Sequence, residues 1–161
     1  MRFTTTLDKK IKKFTKKFGI SKVASDKSFA FYPQVNGLTY TVYKYKTDVD
    51  LINHIRETYE IDITNCFFIF SLLHEIGHCK TWRNFTKEEL EEDSILRESL
   101  EALAFFSKSK INTAYFNLKT EIVATEWALN YLCENFENCI IFQNKCMKAL
   151  DHIYKKKSFS Y

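Results

Sequence analysis

Two histidines and a glutamate form a short motif, His74-Glu75-Ile76-Gly77-His78, inside an apolar stretch of this 161-residue chain. On a helix, residues four positions apart lie on the same face, so the two imidazoles can reach one metal ion. Neutral imidazole is a preferred ligand of Zn²⁺, and a catalytic zinc keeps three protein ligands and a fourth position for water. Glu75 can accept a proton from that water, whose pKa the ion lowers toward about 7. The motif therefore predicts one zinc ion, with His74 and His78 as ligands and Glu75 as general base.

A third ligand is expected from a second helix, and two glutamates, Glu121 and Glu126, are candidates. On a helical wheel Glu121 lies in the middle of the apolar face, close to Ala128 and Leu132, whereas Glu126 lies on the polar face beside Asn130. A carboxylate that faces a core requires a partner, and a metal ion is the natural one. The pattern therefore favours Glu121 as the third ligand.

The two halves of this constellation together resemble a known pattern. The HEIGH helix, followed about forty residues later by EIVATEWA at 121–128, resembles the gluzincin pattern HExxH…ExxA(D/N)xxA. The chain looks most like the ImmA/IrrE-type metallopeptidases and the small HExxH proteins encoded by phages and prophages, over residues 70–132. Thr125 stands where the pattern usually has Asp or Asn, which accepts a hydrogen bond from the free ring N–H of a ligand histidine. A threonine hydroxyl can accept that bond but adds no negative charge.

The resemblance implies a small antiparallel sheet packed on the active-site helix and zinc held by His74, His78 and Glu121. It also implies a hydrolase that cleaves a peptide bond of a specific regulatory protein, such as a repressor or host factor, by metal-activated water. Such a reaction needs a donor for the tetrahedral oxyanion. The sequence leaves four candidates for that donor: His54, Tyr59, Tyr115 and His152.

A second function stays open, namely a non-enzymatic metal-binding regulator that docks a protein or nucleic acid through a basic N-terminal helix. Lysines interleaved with Phe14 and Phe18 over residues 1–19 favour it weakly. Because an ordinary packed amphipathic helix has the same pattern, we expect a protein or peptide substrate, and neither nucleic acid nor a membrane, as the partner.

The elements that must position these residues are mainly helices, because the chain has only 3 Gly and 1 Pro. We expect one domain over 1–161, with the zinc-site core at 64–132, and a zincin-like α+β fold. Apolar periodicity predicts helices near 7–18, 48–59, 65–80, 86–106, 119–134 and 137–155. Between the first two, residues 29–45 predict a β-hairpin that turns at Asn36-Gly37, since a type I′ turn needs positive φ at both positions. Pro33 places its strand at a sheet edge or at a break.

The cellular compartment is predicted from three features that the sequence does not contain. No apolar run reaches the roughly 18–20 residues that span a bilayer, and no apolar stretch follows the basic N-terminus as in a secretory signal. The 5 cysteines form no CxxC pair, which is typical of reduced thiols in the cytosol. We expect a cytoplasmic protein, or one of the host cytoplasm if a phage encodes it.

Overall fold

The computed structural model describes residues 5–41, 48–103 and 108–158. Helices dominate these residues, and three short strands form one sheet. The helices are Thr5–Lys16 (α1), Val49–Tyr59 (α2), Phe67–Thr81 (α3), Lys87–Ala102 (α4), Lys108–Phe116 (α5), Lys119–Glu134 (α6) and Phe136–Ser158 (α7). The strands are Lys22–Asp26 (β1), Ala30–Tyr32 (β2) and Gly37–Thr41 (β3). The predicted α+β, mostly helical class is confirmed.

Helix α3 lies at the centre of the described core because it is apolar on nearly every side. Its side chains Phe70, Leu72, Leu73 and Ile76 are fully buried. Both β2 and β3 contact this helix, so the sheet packs on the motif-bearing helix as expected. The histidine motif is thereby set into the best-packed part of the described chain.

Gly77 lets α3 and α6 come into backbone contact. A Cβ placed on Gly77 would lie 2.5 Å from the carbonyl oxygen of Ala124 and 3.1 Å from its Cα. Real atoms do not approach that closely, so any larger residue must push the two helices apart. Gly77 therefore serves the close packing of α3 against α6.

The sheet differs from the predicted antiparallel one. Its strand order is β1-β3-β2, with β1 parallel and β2 antiparallel to β3. The prediction missed β1, whose residues include several polar side chains and lack strict alternation. A purely antiparallel sheet was therefore wrong, although the β2–β3 pair is the predicted hairpin.

The hairpin turn also differs from the prediction. Residues Pro33–Val35 form a short 3₁₀ turn, Asn36 follows it with φ of 47°, and Gly37 already belongs to β3. Of this pair, Asn36 has the left-handed conformation and Gly37 does not, so the type I′ turn at Asn36-Gly37 was wrong. Proline ends β2 because it cannot donate to the ladder, which confirms the predicted break at an edge strand. The predicted extension over 42–45 lies outside the described residues.

Helix boundaries agree with the periodicity to within a few residues. Thr86 and Glu89 form the capping box that starts α4, and α6 spans the predicted 119–134 range. The predicted end of α4 at 104–106 lies outside the described residues. Helix α5 was missed, because its short apolar pattern has no clear stripe. Among the helices described, none is long and apolar enough to cross a membrane.

Helix α1 uses its aromatic residues for packing. The ring of Phe14 stacks on that of Phe142 with 4.2 Å between centroids, and Phe18 meets Trp127 edge-on. Lys17 caps this cluster, with its Nζ 2.8 Å from the hydroxyl of Tyr131. The interleaved aromatic residues of the basic helix therefore belong to the core, as in an ordinary packed helix.

Candidate metal centre

Three side chains converge where α3 meets the first turn of α6. The Nε2 atom of His74 lies 2.8 Å from Oε2 of Glu121 and 3.1 Å from Nε2 of His78, and the latter lies 3.3 Å from Oε1 of Glu121. Ligands bound tetrahedrally at about 2.0–2.1 Å lie about 3.3 Å from one another. Three atoms at these separations could therefore hold a metal ion.

Burial supports the ligand assignment made from the helical wheel. Glu121 is 4% exposed, whereas Glu126 on the same helix is exposed to solvent. A buried carboxylate is stable only with partners, and Glu121 finds them in both histidines. Burial alone would raise the pKa of Glu121, but hydrogen bonds from His74 and His78 outweigh it and hold that pKa well below its usual range.

The orientation of His74 is set by the helix that carries the third ligand. Its Nδ1 lies 3.2 Å from Oγ1 of Thr125, so the tautomer with its hydrogen on Nδ1 can donate to that hydroxyl. In that tautomer the Nε2 lone pair is free for a metal ion, whereas without an ion a hydrogen on Nε2 is donated to Glu121. Thr125 thus makes the contact expected at this position, through a neutral oxygen.

An arginine on α4 completes the surroundings of Glu121. Nη1 of Arg97 donates to Oε1 of Glu121 at 2.9 Å and to the hydroxyl of Tyr115 at 2.6 Å. Nη2 donates to Asp93 and to Thr120, both at 3.1 Å. The spacing of Asp93 and Arg97, four positions apart on a helix, was visible in the sequence. Nothing local indicated that this pair faces the metal site.

Asp93 also serves the beginning of α6. Its Oδ1 accepts a hydrogen bond from the hydroxyl of Thr120 at 2.7 Å and a longer one from the Thr120 backbone N–H at 3.4 Å. The residue before the helix, Leu118, has no side chain that could cap it. A carboxylate at a helix N-terminus satisfies free N–H groups and interacts favourably with the helix dipole. Helix α4 therefore caps the helix that presents Glu121.

A cleft of about 360 Å³ opens beside the three converging side chains. Glu75, His78 and Glu121 line its polar side. The remaining wall comes from β2 and the residues beside it, from the end of α3 and the segment that follows, and from α4, α5 and the start of α6. Its residues are Phe29, Ala30, Phe31, Pro33, Thr81, Trp82, Phe85, Leu90, Arg97, Tyr115 and Thr120. Glu75 therefore faces the same open space as His78 and Glu121, two of the three candidate metal ligands.

The carboxyl of Glu75 is half-buried at this wall. Burial raises its pKa above the ordinary value, while the neighbouring His74 and His78 and a backbone hydrogen bond from Phe31 on β2 act in the opposite direction. Through that bond Glu75 is held between the metal ligands and the edge of the sheet. This is the position expected of a group that handles a proton inside the cleft.

Tyr115 is the one of the four oxyanion candidates that lines the cleft. Burial, together with the charge of Glu121, raises the pKa of its phenol, so the group keeps its hydrogen. His54 packs on Phe116 with ring centroids 5.1 Å apart, and His152 is exposed on α7. The tertiary arrangement thus places Tyr115 in the wall of the cleft, which the sequence did not indicate.

No protein-family model, curated protein or solved structure matches this chain. The resemblance to gluzincins and the zincin-like arrangement therefore stay predictions. They depend on the motif residues His74, Glu75, His78 and Glu121 and on the way these residues converge.

Proposed function

We propose that this chain is a zinc-dependent metallopeptidase that hydrolyses a peptide bond of a specific protein substrate. One observation carries the proposal: the two imidazoles of the HExxH motif and the buried carboxylate of Glu121 converge within metal-ligand distance, beside a cleft that Glu75 lines. A purely structural role for these residues would not require an acid on an open wall next to them.

The chemistry of the ligands supports zinc. Two imidazole nitrogens and one carboxylate are the ligand set of many catalytic zinc sites, and the oxygen-rich sites preferred by Mg²⁺ and Ca²⁺ are different. His74, His78 and Glu121 would hold the ion. A bound Zn²⁺ would supply a Lewis acid that lowers the pKa of a water molecule toward about 7.

The residues around the cleft supply the other parts of a hydrolytic reaction. Glu75 accepts the proton of the attacking water and passes it to the nitrogen of the leaving amine. Tyr115, whose oxygen already accepts a hydrogen bond from Arg97, keeps its hydrogen and can donate to the substrate carbonyl oxygen as negative charge develops there.

The position of β2 supports an extended substrate. This strand lies at the edge of the described sheet and contributes Ala30 and Phe31 to the cleft. A peptide can add to such an edge by backbone hydrogen bonds. N-methylation of alternate amides in a cleaved peptide should abolish cleavage where the methyl groups face β2. Cleavage unaffected in both methylation registers would show that the substrate does not add to this edge.

The compartment and the kind of substrate follow from the same reasoning. None of the 5 cysteines, all within the described residues, is paired in a disulfide, which supports a reducing compartment such as the cytoplasm. The resemblance to phage and prophage metallopeptidases points to a regulatory protein as the substrate. A cleft on a small domain suits one extended segment of such a protein.

The metal site is tested by the metal content of the purified protein. We expect one zinc per chain in the wild type and in Glu126→Ala, and loss of stoichiometric zinc in Glu121→Ala. Glu126 is the matched control because it lies on α6 but faces solvent. Zinc loss in the Glu126 variant in place of the Glu121 variant would overturn the ligand assignment.

The peptidase activity is tested separately with Glu75→Gln. This variant should fold and keep its zinc but lose cleavage of a proteome-derived peptide library by at least about 100-fold. If the wild type binds zinc and cleaves nothing, or if the variant keeps full biological activity, the non-enzymatic regulator is the correct interpretation.

A further inference from the structure

We infer that Arg97 is a positioning residue for the metal centre: from α4 it holds the carboxylate of Glu121 in its ligand orientation, and Asp93 holds Arg97. This inference deepens the proposed function and rests on its metal-binding half. The guanidinium reaches Glu121, Tyr115, Asp93 and Thr120 at distances between 2.6 and 3.1 Å.

The hydrogen bonds divide the two oxygens of Glu121 between different partners. Oε1 accepts from Arg97 and lies 3.3 Å from Nε2 of His78, whereas Oε2 lies 2.8 Å from Nε2 of His74. A carboxylate restrained at one oxygen presents the other in a defined direction. Arg97 therefore favours a single-oxygen ligand and restricts the rotation of the Glu121 side chain, which reduces the ordering needed when an ion binds.

The positive charge of Arg97 could instead weaken the binding of a cation. Asp93 lies 3.1 Å from Nη2 and is itself buried, so the charge of the arginine is already balanced. Without Arg97, the carboxylates of Asp93 and Glu121 would both lose their charged partner on α4. A buried carboxylate that loses its partner turns toward other donors, and a reoriented Glu121 binds a metal ion less well. Positioning therefore outweighs repulsion.

Arginine suits this role because its planar fork has several donors in fixed directions. Lysine carries the same charge on a single ammonium group and cannot bridge four acceptors in this geometry. The two residues thus separate positioning from charge. If charge alone acted on the ion, Arg97→Met would bind metal more tightly and Arg97→Lys would behave as the wild type.

The experiment measures the affinity for Zn²⁺ by competition with a chromophoric chelator, and the visible absorption spectrum of the Co²⁺-loaded protein. We expect Arg97→Met to weaken Zn²⁺ binding by about 10–100-fold, the range found for outer-shell partners of metal ligands. Arg97→Lys should weaken it by at least about threefold and alter the Co²⁺ spectrum, since the lost fork changes how Glu121 is oriented.

Lys119→Met is the matched control. It removes the other ion pair between α4 and α6, that of Lys119 with Glu89, and leaves the contacts of Glu121 in place. Zn²⁺ affinity and the Co²⁺ spectrum should stay as in the wild type. If this control loses as much Zn²⁺ affinity as the Arg97 variants, a general loosening of α4 lowers the affinity, and the hydrogen bond to Glu121 does not. That result would overturn the inference.

Circular dichroism establishes which variants fold. If Arg97→Met does not fold, Arg97→Lys decides, and wild-type affinity with a wild-type Co²⁺ spectrum in that variant overturns the inference. The proposed function fails in a different way, because the wild type itself would then bind no stoichiometric zinc. If the wild type binds zinc and the Arg97 variants have the same Zn²⁺ affinity and Co²⁺ spectrum, only the positioning role of Arg97 is overturned.

Discussion

Helices α3 and α4 both meet α6 near the candidate metal centre, but they do so through different interactions. Helix α3 presses its backbone against that of α6 at Gly77 and Ala124 and buries apolar side chains along its length. Helix α4 has 16 residues, and Asp93 is the buried one among them. Its residues Ile95 and Leu96 are 64% and 50% exposed.

The polar attachment of α4 runs along one side of the helix. Arg97 bonds to Glu121 and Asp93 to Thr120, while Glu89, nearer the start of the helix, pairs with Lys119. Apolar close packing sets a distance that salt and pH hardly change. Hydrogen bonds and ion pairs at a partly exposed seam are weaker in water and depend on both.

The two helices therefore have different roles in the candidate site. Two candidate ligands lie on α3, whose distance to α6 is set by backbone contact. The orientation of the third ligand, Glu121, depends on a peripheral helix held by polar groups. Segments with few buried apolar contacts open at lower free energy than the core, so we expect α4 to be the locally least stable wall of the cleft.

The largest effect should come from Gly77→Ala. In an ordinary helix interior this change stabilises by about 1 kcal/mol. Here the added Cβ would overlap the backbone of Ala124, and overpacking of this kind typically costs about 1–3 kcal/mol. We expect a net destabilisation of up to roughly 2 kcal/mol in urea unfolding, together with weaker zinc binding. Lys80→Ala, at an exposed site on α3, is the control. A Gly77→Ala variant more stable than the wild type would show that close backbone contact does not set the distance between α3 and α6.

A smaller and local effect is expected from Thr86→Ala, which removes the N-cap of α4. Loss of such a cap costs about 1 kcal/mol, which corresponds to about fivefold faster amide exchange where opening is local. Hydrogen exchange followed by mass spectrometry should show this increase in α4 and none in α3. Equal acceleration in both helices would mean that α4 unfolds only together with the core.

The smallest effect concerns the exposed pair of Glu89 and Lys119. The hydrogen bond from Lys119, followed by the backbone bond at Thr86, lowers the pKa of Glu89 below its ordinary value of 4.5. A carboxyl with a lowered pKa in the folded state stabilises it at a pH above the unfolded value. That contribution disappears as the pH falls through the lower folded value.

Glu89→Gln isolates this charge, because glutamine can still serve in a capping box. Limited proteolysis of α4 should be slightly faster in the variant at pH 7, and high salt should reduce the difference. Below the lowered pKa of Glu89 the two proteins should become equally sensitive. A difference that persists undiminished in acid would show that the ion pair is not its cause.

Much of the candidate site could be predicted because its signals are local. The spacing of His74 and His78 places both on one face of any helix, and the wheel that separates Glu121 from Glu126 needs only the helical period. The cap at Thr86 is equally local. These predictions agree with the structure because 3.6 residues per turn is a property of the backbone, independent of what packs around it.

Other features depend on contacts between residues far apart in the chain, and no periodicity reports them. Three features belong to this class. They are the parallel pairing of β1 with β3, the position of Tyr115 in the cleft wall and the hydrogen bond from Arg97 to Glu121. The Asn-Gly signal predicted the hairpin correctly but its turn type wrongly, because Pro33 starts a 3₁₀ turn before Asn36. The sequence by itself determined which helical faces carry the candidate metal ligands. Only the tertiary structure decided which faces meet, since that choice depends on how the whole core packs.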